Sequence, residues 1–155
     1  MARYRILDEE ELKSLEKEFI DFLVLNGIPA DEWIIIKRDP DKSQKMIESF
    51  SDVVFEKILR EIKYLDHYSP QSIKTFRCDE KQIYLVGVDT GNAEIDFTTE
   101  GGIHQLKTNP PEDLQVYQTS KGYHPNREVE IYRMLQQGCQ KSDGNLFQSL
   151  NSTIK

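Results

Sequence analysis

Gln82-Ile83-Tyr84-Leu85-Val86-Gly87-Val88, then Asp89-Thr90-Gly91-Asn92, then Ala93-Glu94-Ile95-Asp96-Phe97-Thr98: the fold turns on this stretch. The first run is apolar almost throughout, as in a central strand covered on both faces. The last alternates, with Ala93, Ile95 and Phe97 on one side and Glu94, Asp96 and Thr98 on the other. That is the period of a half-buried strand. Four turn formers lie between them. With those four as the loop, Val88 faces Ala93, Val86 faces Ile95 and Tyr84 faces Phe97, so all six apolar side chains share one face. Turn and pattern together predict a β-hairpin over 82–98.

Working outward, Ile73–Cys78 reads as a preceding strand joined through Asp79-Glu80-Lys81, and Leu114–Thr119 as a later one. Glu100-Gly101-Gly102 interrupts the pattern, and residues 103–107 carry no assignment. Toward the N-terminus, Asp8 with Glu11 three residues on forms a capping-box pattern. Leu12, Leu15, Phe19, Phe22 and Leu23 then make one apolar stripe, which Asn26-Gly27 ends. Asp31 caps a short helix from Glu32 to Lys37. Asp39-Pro40 starts a longer one, since proline suits the first helical position. Its stripe runs through Ile47, Phe50, Val54, Ile58, Ile62 and Leu65; Ser51-Asp52 either divides it or leaves it whole. His67 reads as closing this helix, where a cation favours the negative end of the dipole, and Ser69-Pro70 ends it. At the other end, Arg127–Gln137 is helical with Gly138 as terminator, and Gly144–Leu150 forms a last turn or two. The expected fold is α+β: a helical N-terminal half packed on a small antiparallel sheet of three to four strands, with a C-terminal helix. One domain spans 1–155, mainly helical over 1–70, mainly strands over 71–120, and helical with a frayed tail over 121–155.

Composition bounds the function classes. A chain of 155 residues with 37% hydrophobic and 30% charged side chains is globular. No apolar run approaches the ~20 residues of a membrane span, and the N-terminus lacks the pattern of a secretory signal. Cys78 and Cys139 have no metal-ligand spacing, so they read as reduced thiols in the cytoplasm. Net charge is −7; residues 1–70 hold 16 acids against 11 bases, and 71–155 hold 11 against 9. Both halves repel phosphate overall, which argues against a nucleic-acid partner while leaving room for a local basic patch.

Leu15-Glu16-Lys17-Glu18-Phe19-Ile20, Asn26-Gly27-Ile28 and the run from Arg127 to Cys139 resemble a family of small bacterial proteins of unknown function. The match covers most of the chain. The resemblance implies a bacterial cytoplasmic protein and carries no activity, ligand or catalytic residue.

Motifs that could carry chemistry have simpler structural explanations. Asp89-Thr90-Gly91 is the tripeptide of aspartic proteases, yet no second copy exists and half of the chain is helical. The same turn with Glu94 and Asp96 suggests a metal-dependent nuclease, which needs carboxylates converging on ions. In the predicted hairpin, Asp89 and Asp96 lie on the order of 13 Å apart and Asp89 and Glu94 about 7 Å. His67, His104 and His124 have no pairing that makes a zinc site, and no phosphate loop or dinucleotide fingerprint occurs; no cofactor is expected. Tyr117, Lys121, Tyr123, His124 and Arg127 combine aromatics and cations in a stretch leading into a helix, a candidate binding surface. The leading reading is a non-enzymatic interaction or scaffold module with room for a homodimer. The alternative is a carboxylate-based hydrolase centred on Asp89 and Glu94.

Overall fold

The computed structural model describes residues 3–153. Among them lie seven helices and five strands in two compact units that divide between Arg60 and Glu61. The class is α+β, as expected.

The first unit is helical: α1 (Glu9–Ser14), α2 (Glu16–Leu25), α3 (Ala30–Ile36) and α4 (Pro40–Glu61). Asp8 and Glu11 form the predicted capping box, and Asp39 caps α4 by accepting from the Asp41 backbone N–H at 3.1 Å. The single predicted stripe through Leu12–Leu23 is two helices, because the backbone at Leu15 leaves helical geometry (φ −109°, ψ 22°). The cap of α3 is Pro29 rather than Asp31. Ser51-Asp52 does not divide α4. Ser51, fully buried, accepts from the Leu7 N–H at 3.0 Å and donates to the Ile47 carbonyl at 2.7 Å. The Asp52 carboxylate accepts from the Arg3 N–H at 2.8 Å. Both residues fasten the N-terminal segment. Leu7, Phe19, Leu23 and Phe50 form the core, with the Phe19 ring 4.9 Å from Phe50 and edge-on to Trp33 at 5.2 Å.

The second unit holds an antiparallel sheet of five strands in the order β4-β3-β2-β1-β5, not three to four. Its strands are β1 (Tyr64–Ser69), β2 (Ser72–Cys78), β3 (Gln82–Asp89), β4 (Gln115–Gly122) and β5 (Gln140–Ser142), accompanied by α5 (Glu100–Thr108), α6 (Arg127–Gln136) and α7 (Asn145–Ser152). Three expectations fail here. The apolar stripe from α4 runs on in sequence through Ile62 and Leu65, yet the helix stops at Glu61, and His67 sits within β1, opposite Lys74. Residues 93–98 are not a strand: β3 pairs with β2 and β4, and 93–98 is a loop. The alternation has another cause. Ile95 (3% exposed) and Phe97 (1%) anchor that loop in the core while their neighbours face solvent. Finally, Glu100-Gly101-Gly102 opens α5, with the Thr99 hydroxyl capping it through the Gly102 N–H at 3.0 Å.

Opposed residues in neighbouring strands share a face. Ile73, Val86 and Val88 therefore lie together on one face, in a cluster with Ile95, Phe97, Leu106 of α5 and Phe147 and Leu150 of α7. Leu65, His67, Lys74, Phe76 and Leu85 lie on the opposite face. Gly87 lets the Tyr117 ring of β4 lie across it: a Cβ there would sit 2.4 Å from that ring and push the tyrosine aside.

Among the described residues, one buried side-chain oxygen has no hydrogen-bond partner. Asp66 is 6% exposed; its Oδ2 accepts from the Tyr68 hydroxyl at 3.0 Å, while Oδ1 has no hydrogen-bond donor. Burial raises its pKa, the Tyr68 and Ser142 hydroxyls offsetting only part and the Asp143 charge adding to the rise. An acid whose folded pKa is raised contributes fully below its unfolded value and loses that contribution as pH rises through the folded one. Asp66→Asn should therefore stabilise the protein at pH 7 by about 1–2 kcal/mol, and the advantage should shrink as pH falls toward 4. Paired thermal melts across that range check this; a pH-independent gap, or a less stable variant at pH 7, contradicts it.

Candidate functional site

The predicted surface residues fall into two groups. Tyr123 and Arg127 are structural fasteners. The Tyr123 hydroxyl donates to the Asp79 carbonyl at 2.7 Å. Arg127, whose side chain is 11% exposed, donates from Nε to the Asp79 carbonyl (3.2 Å) and from one terminal nitrogen to the carbonyls of Cys78 (3.2 Å) and Ile62. One guanidinium thus donates to three main-chain acceptors, sharing the Asp79 carbonyl with the Tyr123 hydroxyl. Burial pushes the nearby Cys78 thiol up to about 12, with the Arg127 charge opposing it. Cys78 is therefore an inert thiol; it and half-buried Cys139 are both free.

Tyr117, Lys121 and His124 form the second group. Tyr117 and Lys121 lie on β4, which pairs with β3 along Gln115–Gly122 and has no strand on its other side. Lys121 is ion-paired to Glu130 of α6, a residue only 7% exposed. The other Glu130 oxygen accepts from the His124 N–H at 2.8 Å. Burial alone would raise the Glu130 pKa; Lys121 and the His124 N–H together hold it below the ordinary carboxylate value. His124 precedes a cis proline, Pro125.

Lys121 and His124, but not Tyr117, border a cavity of about 530 Å³ between the sheet face bearing His67, Lys74 and Phe76 and the helix face of α6 bearing Glu130, Arg133 and Met134. The sequence gives no local sign of it, because its cations come from positions 74, 121 and 133. Only the strand register and the course of α6 bring them together. His67 was hidden by its assignment to a helix end.

The Asp89-Thr90-Gly91 turn is held by a residue that sequence reasoning passed over. Asp113 accepts from the Thr90 hydroxyl at 2.7 Å and from the Gly91 N–H at 2.6 Å. Those bonds lower its pKa, the Thr90 hydroxyl first. Asp96 likewise accepts from the Thr98 hydroxyl and N–H. Glu94 is exposed on the loop. Asp113 and Asp96 thus hold turns, and among the described residues no three His, Cys, Asp or Glu side chains form a set able to hold a metal ion. No described helix is long and apolar enough to cross a membrane.

The model of the Family of unknown function (DUF6495) matches residues 1–155, and the chain belongs to that family. Neither curated proteins nor solved structures yield a match.

Proposed function

We propose that this member of the family is a cytoplasmic, non-enzymatic interaction module that pairs with a second copy of itself along the open edge of β4. The observation that carries this reading is the edge itself. Eight residues, Gln115–Gly122, are bonded on one side only, and all but Tyr117 are exposed. An unpaired row of N–H and C=O groups is a template for another strand. Natural proteins usually blunt such an edge with proline, several charges or a short strand. β4 has no proline and a single charged residue, Lys121, while the opposite edge, β5, is blunted to three residues. The absence of acids matters because the chain carries −7 overall. Two copies repel at most approaches, and β4 offers a stretch without negative charge. The reduced thiols of Cys78 and Cys139 agree with a reducing compartment. The hydrolase alternative centred on Asp89 and Glu94 has no comparable support, since the hairpin that set its geometry is replaced by a loop fastened through Asp113.

Sedimentation velocity from about 1 to 100 μM tests the proposal. Wild-type protein should shift from monomer to dimer with concentration. Gln118→Lys with Ser120→Lys, two exposed edge positions, should hold it monomeric through like-charge repulsion across the pair. A wild type that stays monomeric at every concentration refutes the pairing, as does a dimer unaffected by the two lysines.

A further inference from the structure

The cavity between the sheet and α6 has a charge balance opposite to that of the chain. Its lining includes Lys74, Lys121 and Arg133, the imidazoles of His67 and His124, and one acid, Glu130. Glu130 is already committed to Lys121 and to the His124 backbone. That leaves Lys74 and Arg133 with no carboxylate partner among the described residues. Lys74 projects from β2 and Arg133 from α6, so the two cations come from opposite walls. The Arg133 guanidinium lies 3.4 Å from the His124 carbonyl, a long contact that leaves its remaining donors free. His67 packs against the end of α6, where a Cβ at Gly138 would lie 3.4 Å from Nε2. Two exposed cations without a carboxylate partner thus line one cavity of an acidic protein. They attract a counter-charge of about −2.

We infer that this cavity binds a small molecule bearing a phosphate monoester, with the phosphate between Lys74 and Arg133. Charge selects the group: a phosphate monoester carries roughly −1.5 to −2 near neutral pH, whereas a carboxylate or sulfonate carries only −1. The Arg133 fork suits phosphate oxygens in a bidentate manner and Lys74 acts as a point charge. Size selects the remainder. A volume of about 530 Å³ falls within the roughly 300–1,000 Å³ typical of organic ligand sites and exceeds what bare phosphate fills. Phe76 and Met134 supply apolar wall for the body of the ligand, a ring being the shape that an aromatic face and a thioether accommodate.

Calorimetric titration of the full chain with phenyl phosphate, benzenesulfonate and inorganic phosphate tests both halves of the inference. Phenyl phosphate should bind, and benzenesulfonate and inorganic phosphate should each bind at least about tenfold more weakly. Lys74→Ala with Arg133→Ala, both exposed and so tolerated by the fold, should weaken phenyl phosphate by about tenfold or more. Lys141→Ala, an exposed lysine outside the cavity lining, should leave it unchanged. Absence of phenyl phosphate binding overturns the site, and so does unaltered affinity in the double variant or an equal loss in Lys141→Ala. Equal affinity for benzenesulfonate overturns the charge match, and equal affinity for inorganic phosphate overturns the ring contact. The phosphate contacts tested, Lys74 on β2 and Arg133 on α6, lie off the β4 edge, so this titration and the sedimentation experiment can fail separately.

Discussion

Alanine at position 102 should destabilise the protein by about 3 kcal/mol, the upper end of the cost of forcing a methyl into a packed site. A Cβ at Gly102 would lie 1.9 Å from the Asp96 carbonyl oxygen and 2.5 Å from its carbon, so backbone must move. The loop it strikes carries Ile95 and Phe97, two anchors of the sheet core. Displacing that loop would also disturb the Thr99 cap on the Gly102 N–H. Gly101 provides the internal control. It is exposed, and a Cβ there meets nothing closer than the Thr99 hydroxyl at 4.0 Å. Gly101→Ala should gain about 0.5–1 kcal/mol from reduced chain entropy within a helix. Two adjacent glycines thus carry opposite expectations. Urea melts of both variants decide the matter, and Gly102→Ala at wild-type stability would show that α5 does not rest on the 96–97 backbone.

Arg127→Met should cost about 3 kcal/mol by a different route. Methionine keeps much of the packed stem but donates nothing, leaving the carbonyls of Ile62 and Cys78 without that donor, while the Asp79 carbonyl keeps the Tyr123 hydroxyl. Each unsatisfied buried polar group costs about 1–3 kcal/mol, moderated where water can enter. Arg127→Lys should recover about half, because an ammonium retains charge and donors without the planar fork. For a unit of this size, such a loss lowers the melting temperature by on the order of 15 °C. If Arg127→Met melts within about 4 °C of wild type, roughly 1 kcal/mol, the Ile62 and Cys78 carbonyls are solvated and the residue is the exposed contact its sequence position suggested.

Much of the fold was legible where local signals and tertiary demands agree. Asp39-Pro40 starts α4 because a cap and a proline need no partner to act. Gln82–Asp89 is apolar enough that a two-sided central strand is the natural outcome. Errors arose where one pattern serves two structures. Ile62 and Leu65 continue the helical spacing of Ile58, yet the chain has already left the helix, with no glycine or proline to announce it. Ile95 and Phe97 alternate with polar residues as a strand would, but alternation also describes a loop with two buried anchors. Gly101-Gly102 reads as a breaker by propensity; tertiary approach of backbone to backbone makes glycine the residue that lets α5 form. Of the surface from Tyr117 to Arg127, sequence could supply the residue types but not their orientation. Lys121 and His124 border a cavity while Tyr123 and Arg127 turn to the main chain. Lys74 and Arg133 were invisible because they are ordinary exposed cations until the register places them across from each other.

The unequal borders of the sheet set a limit on assembly. One border is eight residues long and the other three. When two molecules join about a two-fold axis through the longer border, each consumes the same strip that its neighbour offers. What remains outward is a pair of three-residue stubs, too short to recruit a third molecule. In the proposed pairing, growth would therefore end at two, and a surface able to seed fibres would become self-terminating.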